Sequence, residues 1–160
     1  MNLNAMLSEQ VKFVTGLDSV VPSTSTPDYV SLKNYERIAI IILQKNATTV
    51  TGSAITVKQA TSVGGGSEKA LSFTKAYRNV DTGAADVLSE FSVSSDTFTT
   101  QAVNNKNAMY IIEVKAEDLD VNNGFDCIRA GTGDATAATI TVLYALFGAK
   151  FPTTGAAITD

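Results

Sequence analysis

Apolar and polar positions alternate along most of this chain with a period of two. From Tyr29 to Gly148, runs of β-branched and aromatic residues are separated by Gly, Asn, Asp or Ser. That is strand chemistry. "YVSL" (Tyr29–Leu32) is short. "YERIAIIILQ" (Tyr35–Gln44) is the strongest run, and its centre is apolar at both parities, which predicts a strand buried on both faces. "AITVKQAT" (Ala54–Thr61) puts Ile55, Val57 and Gln59 on one face. "KALSFTKAY" (Lys69–Tyr77) puts Leu71, Phe73, Lys75 and Tyr77 on one side. "DVLSEFSV", "DTFTT", "AMYIIEVKA", "FDCIRAG" and "AATITVLYALFG" continue the series.

Turn-forming clusters such as "QKNATT", "GGGS", "NVDTGAAD", "SSD", "VNNKN", "NNG" and "GTGD" interrupt these runs. Short strands at this spacing predict an all-β fold, an antiparallel sandwich or jelly-roll-like body of about eight to ten strands. No segment after residue 36 keeps a three-four apolar spacing. Residues 6–13 are expected to make a helical turn or two, and "AEDLD" a 3₁₀ turn; the segment from Asp81 fits a helix start or a loop. The expected core includes Ile38, Ile40, Ile42, Ile55, Val57, Leu71, Phe73, Leu88, Phe91, Ile111, Val114, Leu119, Phe125, Ile128, Ile140, Val142 and Tyr144.

The first 28 residues differ. They carry Pro22 and Pro27 within "VVPSTSTPD", and proline denies a ladder hydrogen bond. They read as an extended N-terminal arm (1–28) ahead of a β-sandwich domain (29–150) and a C-terminal tail (151–160). The arm's apolar content implies that it covers its own core or docks on a partner. On the docking reading, a chain beginning near Tyr29 is expected to fold and to lose its partner.

Composition narrows the chemistry. The 160 residues carry 12 basic and 16 acidic side chains, for a net charge of -4. The basic residues are scattered singly, which argues against nucleic acid as a partner, because phosphate contacts need clustered Lys and Arg. No secretory signal and no apolar run of about 18 residues is visible, so no membrane span is expected. The sequon Asn46-Ala47-Thr48 therefore carries little meaning. Cys127 is the single cysteine and reads as a small buried hydrophobe. Histidine is absent, which removes the commonest general base, and tryptophan is absent too.

"AEDLDVNNGFDCIRAGTG" (Ala116–Gly133) resembles a calcium loop at Asp118, Asp120 and Asn122. It then places Asn123 where the loop needs Gly and Arg129 where it needs a bidentate Glu. It reads instead as a strand connection, with Leu119 tucked beneath and Asn-Asn-Gly accepting positive φ. "SVGGGSEKA" (Ser62–Ala70) lacks the Ser or Thr that follows the lysine of a phosphate-binding loop, and reads as a hairpin loop. No catalytic, cofactor-binding or metal-binding residue is assigned, and no enzymatic activity or cofactor is expected.

Several words, "DYVSLKNYERIAIII", "ITVKQATSVGGGSEKAL", "NVDTGAADVL" and "LDVNNGFDCIRAGTGDATAATITVLYAL", resemble small virion structural proteins of tailed bacteriophages over residues 28–146. Gln59-Ala60, Gly64–Gly66 with Lys69, Leu119-Asp120 and Gly124-Phe125-Asp126 carry the resemblance. It implies a capsid decoration (cement) protein on the outside of a phage head. The partners would be the major capsid protein and further copies of this chain, which would be made in the cytoplasm of a bacterial host. A head–tail connector or tail protein, or a host-surface binding module, are the alternatives.

Overall fold

In the computed structural model, which describes residues 6–150, the apolar runs become eleven antiparallel strands. They are β1 (Val11–Val20), β2 (Val30–Ser31), β3 (Arg37–Asn46), β4 (Ala54–Ala60), β5 (Lys69–Ala70), β6 (Phe73–Asn79), β7 (Ser89–Ser95), β8 (Thr97–Thr99), β9 (Ala108–Lys115), β10 (Cys127–Thr132) and β11 (Ala138–Phe147). One sheet has the order β1-β11-β3-β9-β6-β7. The other runs β2-β10-β4-β5, with β8 also on β4. The two sheets pack together as an all-β sandwich.

Period two decides which side chains meet between the sheets. Ile38, Ile40 and Ile42 of β3, Ile140, Val142 and Tyr144 of β11, and Tyr110, Ile112 and Val114 of β9 point inward from the larger sheet. Ile55 and Val57 of β4 and Ile128 and Ala130 of β10 meet them from the smaller one. Burying each larger aliphatic side chain stabilises the fold by roughly 1.5–3 kcal/mol. Tyr144 also links the sheets through a polar contact, since its buried hydroxyl accepts the Ala130 N–H at 3.2 Å. Gly16 makes room for that ring. It sits at a register shift in β1, and a Cβ there would lie 2.6 Å from Tyr144 Cε2.

The expected arm is, over residues 11–20, part of the larger sheet. β1 pairs along β11 from Val11↔Phe147 to Val20↔Ile140, and Leu17 enters the core. A chain starting at Tyr29 would uncover the backbone edge of β11 and remove Leu17, so folding independent of this segment is not what the packing supports. Residues 1–5 of the arm and the tail 151–160 lie outside the described residues. The helix expected over residues 6–13 is a single turn, Leu7–Gln10, after which the chain is already extended. The 3₁₀ turn expected at "AEDLD" is present at Ala116–Asp118, followed by a second at Val121–Asn123.

Three expectations need correction. Ile111 faces out and its neighbour Ile112 is fully buried, paired with Ile40 across the strands. In "YIIEVK" Tyr110, Ile112 and Val114 share one parity and Ile111 shares the other with Glu113 and Lys115, so the charges mark the outer face, to which Ile111 belongs. Leu88 is 40% exposed, because it lies in the loop before β7. Tyr77, expected on one side with Leu71 and Phe73, sits on the outer face and donates its hydroxyl to Glu90 at 3.2 Å, because "KALSFTKAY" divides into β5 and β6 on different sheets and a register shift follows Phe73. Phe73 and Phe91 pack on the core margin, in edge-on contact with Phe98.

Candidate functional site

The two outer faces of the sandwich differ sharply in chemistry. On the smaller sheet, Arg129 of β10 lies directly opposite Lys58 of β4. Like charges placed so are destabilising. Glu68, carried over them by the loop between β4 and β5, resolves the conflict. Its Oε1 accepts from Lys58 Nζ at 2.5 Å, and its Oε2 accepts from Arg129 at 2.5 Å and from the Tyr29 hydroxyl at 2.5 Å. The Arg129 guanidinium stacks on the Tyr29 ring at 4.7 Å. Gly65 closes the loop with φ +82°, a conformation that suits glycine, and a Cβ there would come within 3.2 Å of the same ring.

These contacts set the protonation states. Hydrogen bonds from Lys58 and then Tyr29 hold the Glu68 carboxyl below its ordinary value. Burial, and then the bond to Glu68, pushes the Tyr29 hydroxyl well up. Beneath Tyr29, Cys127 packs with Ala60. Burial and the adjacent Asp126 carboxylate, 3.0 Å from its sulfur, raise the thiol to about 12. Such a thiol is a weak nucleophile at neutral pH.

The acidic bend abuts this cluster. The Asp120 N–H donates to the buried Gln59 Oε1 at 2.8 Å, and Gln59 Nε2 donates to the Ala70 carbonyl at 3.3 Å. The Asp120 carboxylate pairs with Lys69 and accepts from Asn123 Nδ2. Those two bonds, Lys69 first, hold its carboxyl below the ordinary value. The Lys69 ammonium also lies 4.1 Å from the centre of the Phe125 ring. Asp118 turns elsewhere and accepts the Lys115 N–H at 3.0 Å. Leu119 is buried under the bend, and Gly124 takes φ +80°. So Gln59, Lys69, Asp120 and Phe125, singled out separately along the chain, meet in space. They tie the β9–β10 connection to the β4–β5 loop, and each charge already has a partner. Among the described residues, no group of three or more His, Cys, Asp or Glu side chains is placed to hold a metal ion.

On the larger sheet the outer face is apolar at its centre. Val11, Ala39 and Ala145 form a second hydrophobic cluster with Ile41, Ile111 and Phe147, apart from the sandwich core. Strand register lines up Leu143, Ile41, Ile111 and Tyr77 in a row across β11, β3, β9 and β6. Leu43 and Met109, beside Thr141, form the next row on one side, and Phe13, Ala145 and Ala39, ending at Glu113, on the other. Phe13 is 48% and Leu43 45% exposed. Charges border the block. Arg37 stacks on Phe147 at 5.4 Å, and Lys75 pairs with Glu90 at 3.2 Å. A groove of about 770 Å³ lies at the Arg37 end, with Val11, Phe147 and Ala149 among its apolar walls. The sequence signal for this surface was the doubly apolar centre of β3. The expectation of burial on both faces is met on one side, and on the other the described residues bury Ala39 but leave Ile41 partly and Leu43 largely uncovered.

Comparison with protein-family descriptions, curated proteins and solved structures returns no match. The functional reading rests on the chain's own residues. No helix among the described residues is long and apolar enough to cross a membrane.

Proposed function

We propose that this is a structural virion protein that acts by burying surface against neighbouring subunits, a decoration (cement) protein on the outside of a phage capsid. The major capsid protein and further copies of the chain are its partners. The observation that carries the reading is the open apolar face of the larger sheet, set against a smaller sheet whose charged groups neutralise one another. An outer sheet face in a sandwich is ordinarily polar, and a contiguous apolar block on it marks an interaction surface. The resemblance of residues 28–146 to tailed-phage virion proteins supplies the setting.

A cement protein bridges capsomers and adds buried area across joints strained by packaged DNA. A rigid sandwich suits that load. Several weak contacts combine when one subunit is held on a shell, because each later contact forms at high effective concentration. Quantitative mass spectrometry of purified particles, with a cryo-EM map, tests the reading. Hundreds of copies on the shell exterior are expected. A handful at one vertex would replace this reading with a head–tail connector or tail protein, and absence from particles would end it.

A further inference from the structure

We infer that the open face of the six-stranded sheet is the contact between two copies of this chain, packed sheet to sheet about a two-fold axis. This deepens the proposed function, on which it rests, by naming the surface through which copies associate. The centre of the face is Phe13, Ile41, Leu43, Met109, Ile111 and Leu143, aligned by register across four strands. None of these six carries a charge or a strong hydrogen-bonding group, and the nearest charge on the face, Glu113 opposite Ala39, stands at its margin.

Size fits a second copy. Each outward position on a sheet occupies roughly 32 Å², from a two-residue repeat of ~6.7 Å and a strand spacing of ~4.8 Å. The block, with its flanking Val11, Ala39, Ala145, Phe147 and Tyr77, therefore covers about 350 Å² of sheet plane per copy. Val11, Ala39 and Ala145 are covered by their neighbours, so the accessible area comes from the side chains that stand in relief, led by Phe13 and Leu43. Two such faces come to about 700 Å² in projection, which puts the contact near the low end of specific interfaces, which begin at ~1,000 Å² of total buried surface. A two-fold contact needs a patch that complements itself. Flat apolar sheet faces do so without shape matching, because sheets stack face to face about 10 Å apart with interdigitated side chains. Every copy brings the required surface at equal concentration. The arrangement also accounts for the doubly apolar centre of β3, which a single sandwich leaves half-used.

Sedimentation equilibrium of the full chain tests this. The wild type is expected at twice the 16.8 kDa chain mass at micromolar concentration. Ile41→Asp places a charge mid-row and is expected to return the mass to one chain with the far-UV circular dichroism unchanged. Leu43→Lys alters a side chain already 45% exposed in the monomer, and keeps the test open if Ile41→Asp fails to fold. It is expected to weaken association at least tenfold. A monomeric wild type, or association undiminished in Leu43→Lys, overturns the inference. A wild-type monomer that still coats shells defeats the dimer and leaves the decoration reading intact; a dimer absent from particles does the reverse.

Discussion

Ile112 and Ile111 are adjacent, chemically identical and on opposite faces of β9, so truncating each in turn measures the register directly. Ile112 is fully buried and meets Ile40 from the paired strand. Ile112→Ala removes three carbons. At about 0.8 kcal/mol per buried carbon, the transfer loss is about 2.4 kcal/mol. A residual cavity of roughly 40–50 Å³, at about 24 cal/mol per Å³, adds about 1 kcal/mol. The total of about 3.5 kcal/mol lies within the range seen for such truncations, ~2–5 kcal/mol. Ile111 is half-buried and borders open space in the single chain. Its truncation forfeits about half the transfer energy and leaves no sealed cavity, for a cost of about 1 kcal/mol. Any further loss at Ile111 acts through association and grows with protein concentration. Urea unfolding followed by far-UV circular dichroism or tyrosine fluorescence is the assay, since the chain has no tryptophan. With an m-value near 2 kcal/mol per molar urea, the two midpoints should differ by about 1 M. Equal midpoints at low protein concentration, or the reverse order, would refute the register.

Other outcomes follow from the same contacts. Tyr144→Phe leaves the buried Ala130 N–H without its acceptor and should cost about 1–3 kcal/mol in chemical unfolding, with the fold retained. The folded-state value of Glu68 is depressed, so its contribution is full above the carboxyl's ordinary 4.5 and is lost as the pH falls through the lower folded value. The gap in melting temperature between wild type and Glu68→Gln should therefore narrow in acid below pH 4.5, and a gap that stays constant would contradict this. Raised from 9.0 to about 12, the Cys127 thiol should react with a disulfide reagent at pH 8 roughly a thousandfold more slowly in the native than in the urea-unfolded protein. Deleting residues 1–28 removes β1 and should lower the melting temperature or cause aggregation through the uncovered β11 edge; an unchanged melting temperature would show that β1 adds nothing to the fold.

Most strands from β2 onward were legible because burial on one face writes a period of two into the sequence, as in Ile55, Val57 and Gln59; the run Lys69–Tyr77, read as one strand, divides into β5 and β6 on different sheets. β1 was not. It is an edge strand interrupted by the shift at Gly16, and its Lys12, Thr15 and Asp18 dilute the alternation that would have marked it. The prolines that pointed to an arm lie just beyond its end. Register in β9 was legible but misread: Glu113 and Lys115 share the parity of Ile111, so Ile111 and Val114 could not both face the core. The doubly apolar pattern in β3 correctly announced two apolar faces, without saying that the second would stay partly uncovered. The polar corner was invisible as an assembly. Glu68 meets Lys58 ten positions away and Arg129 sixty-one positions away, and Lys69 meets Asp120 across fifty-one. No spacing rule links such residues. The one available signal was the facing of Lys58 and Arg129, which demands an acid once β4 and β10 are paired.

Hydroxyl-radical footprinting of the native assembled protein tests most directly that the larger sheet's outer face is the working surface. Met6, 73% exposed, provides the internal reference. Phe13, Leu43 and Met109 are predicted to be protected at concentrations where the protein associates, and to gain label in Ile41→Asp. Full labelling of Phe13 and Leu43 in the associated wild type, at the level their 48% and 45% exposure sets for a lone chain, would contradict the account.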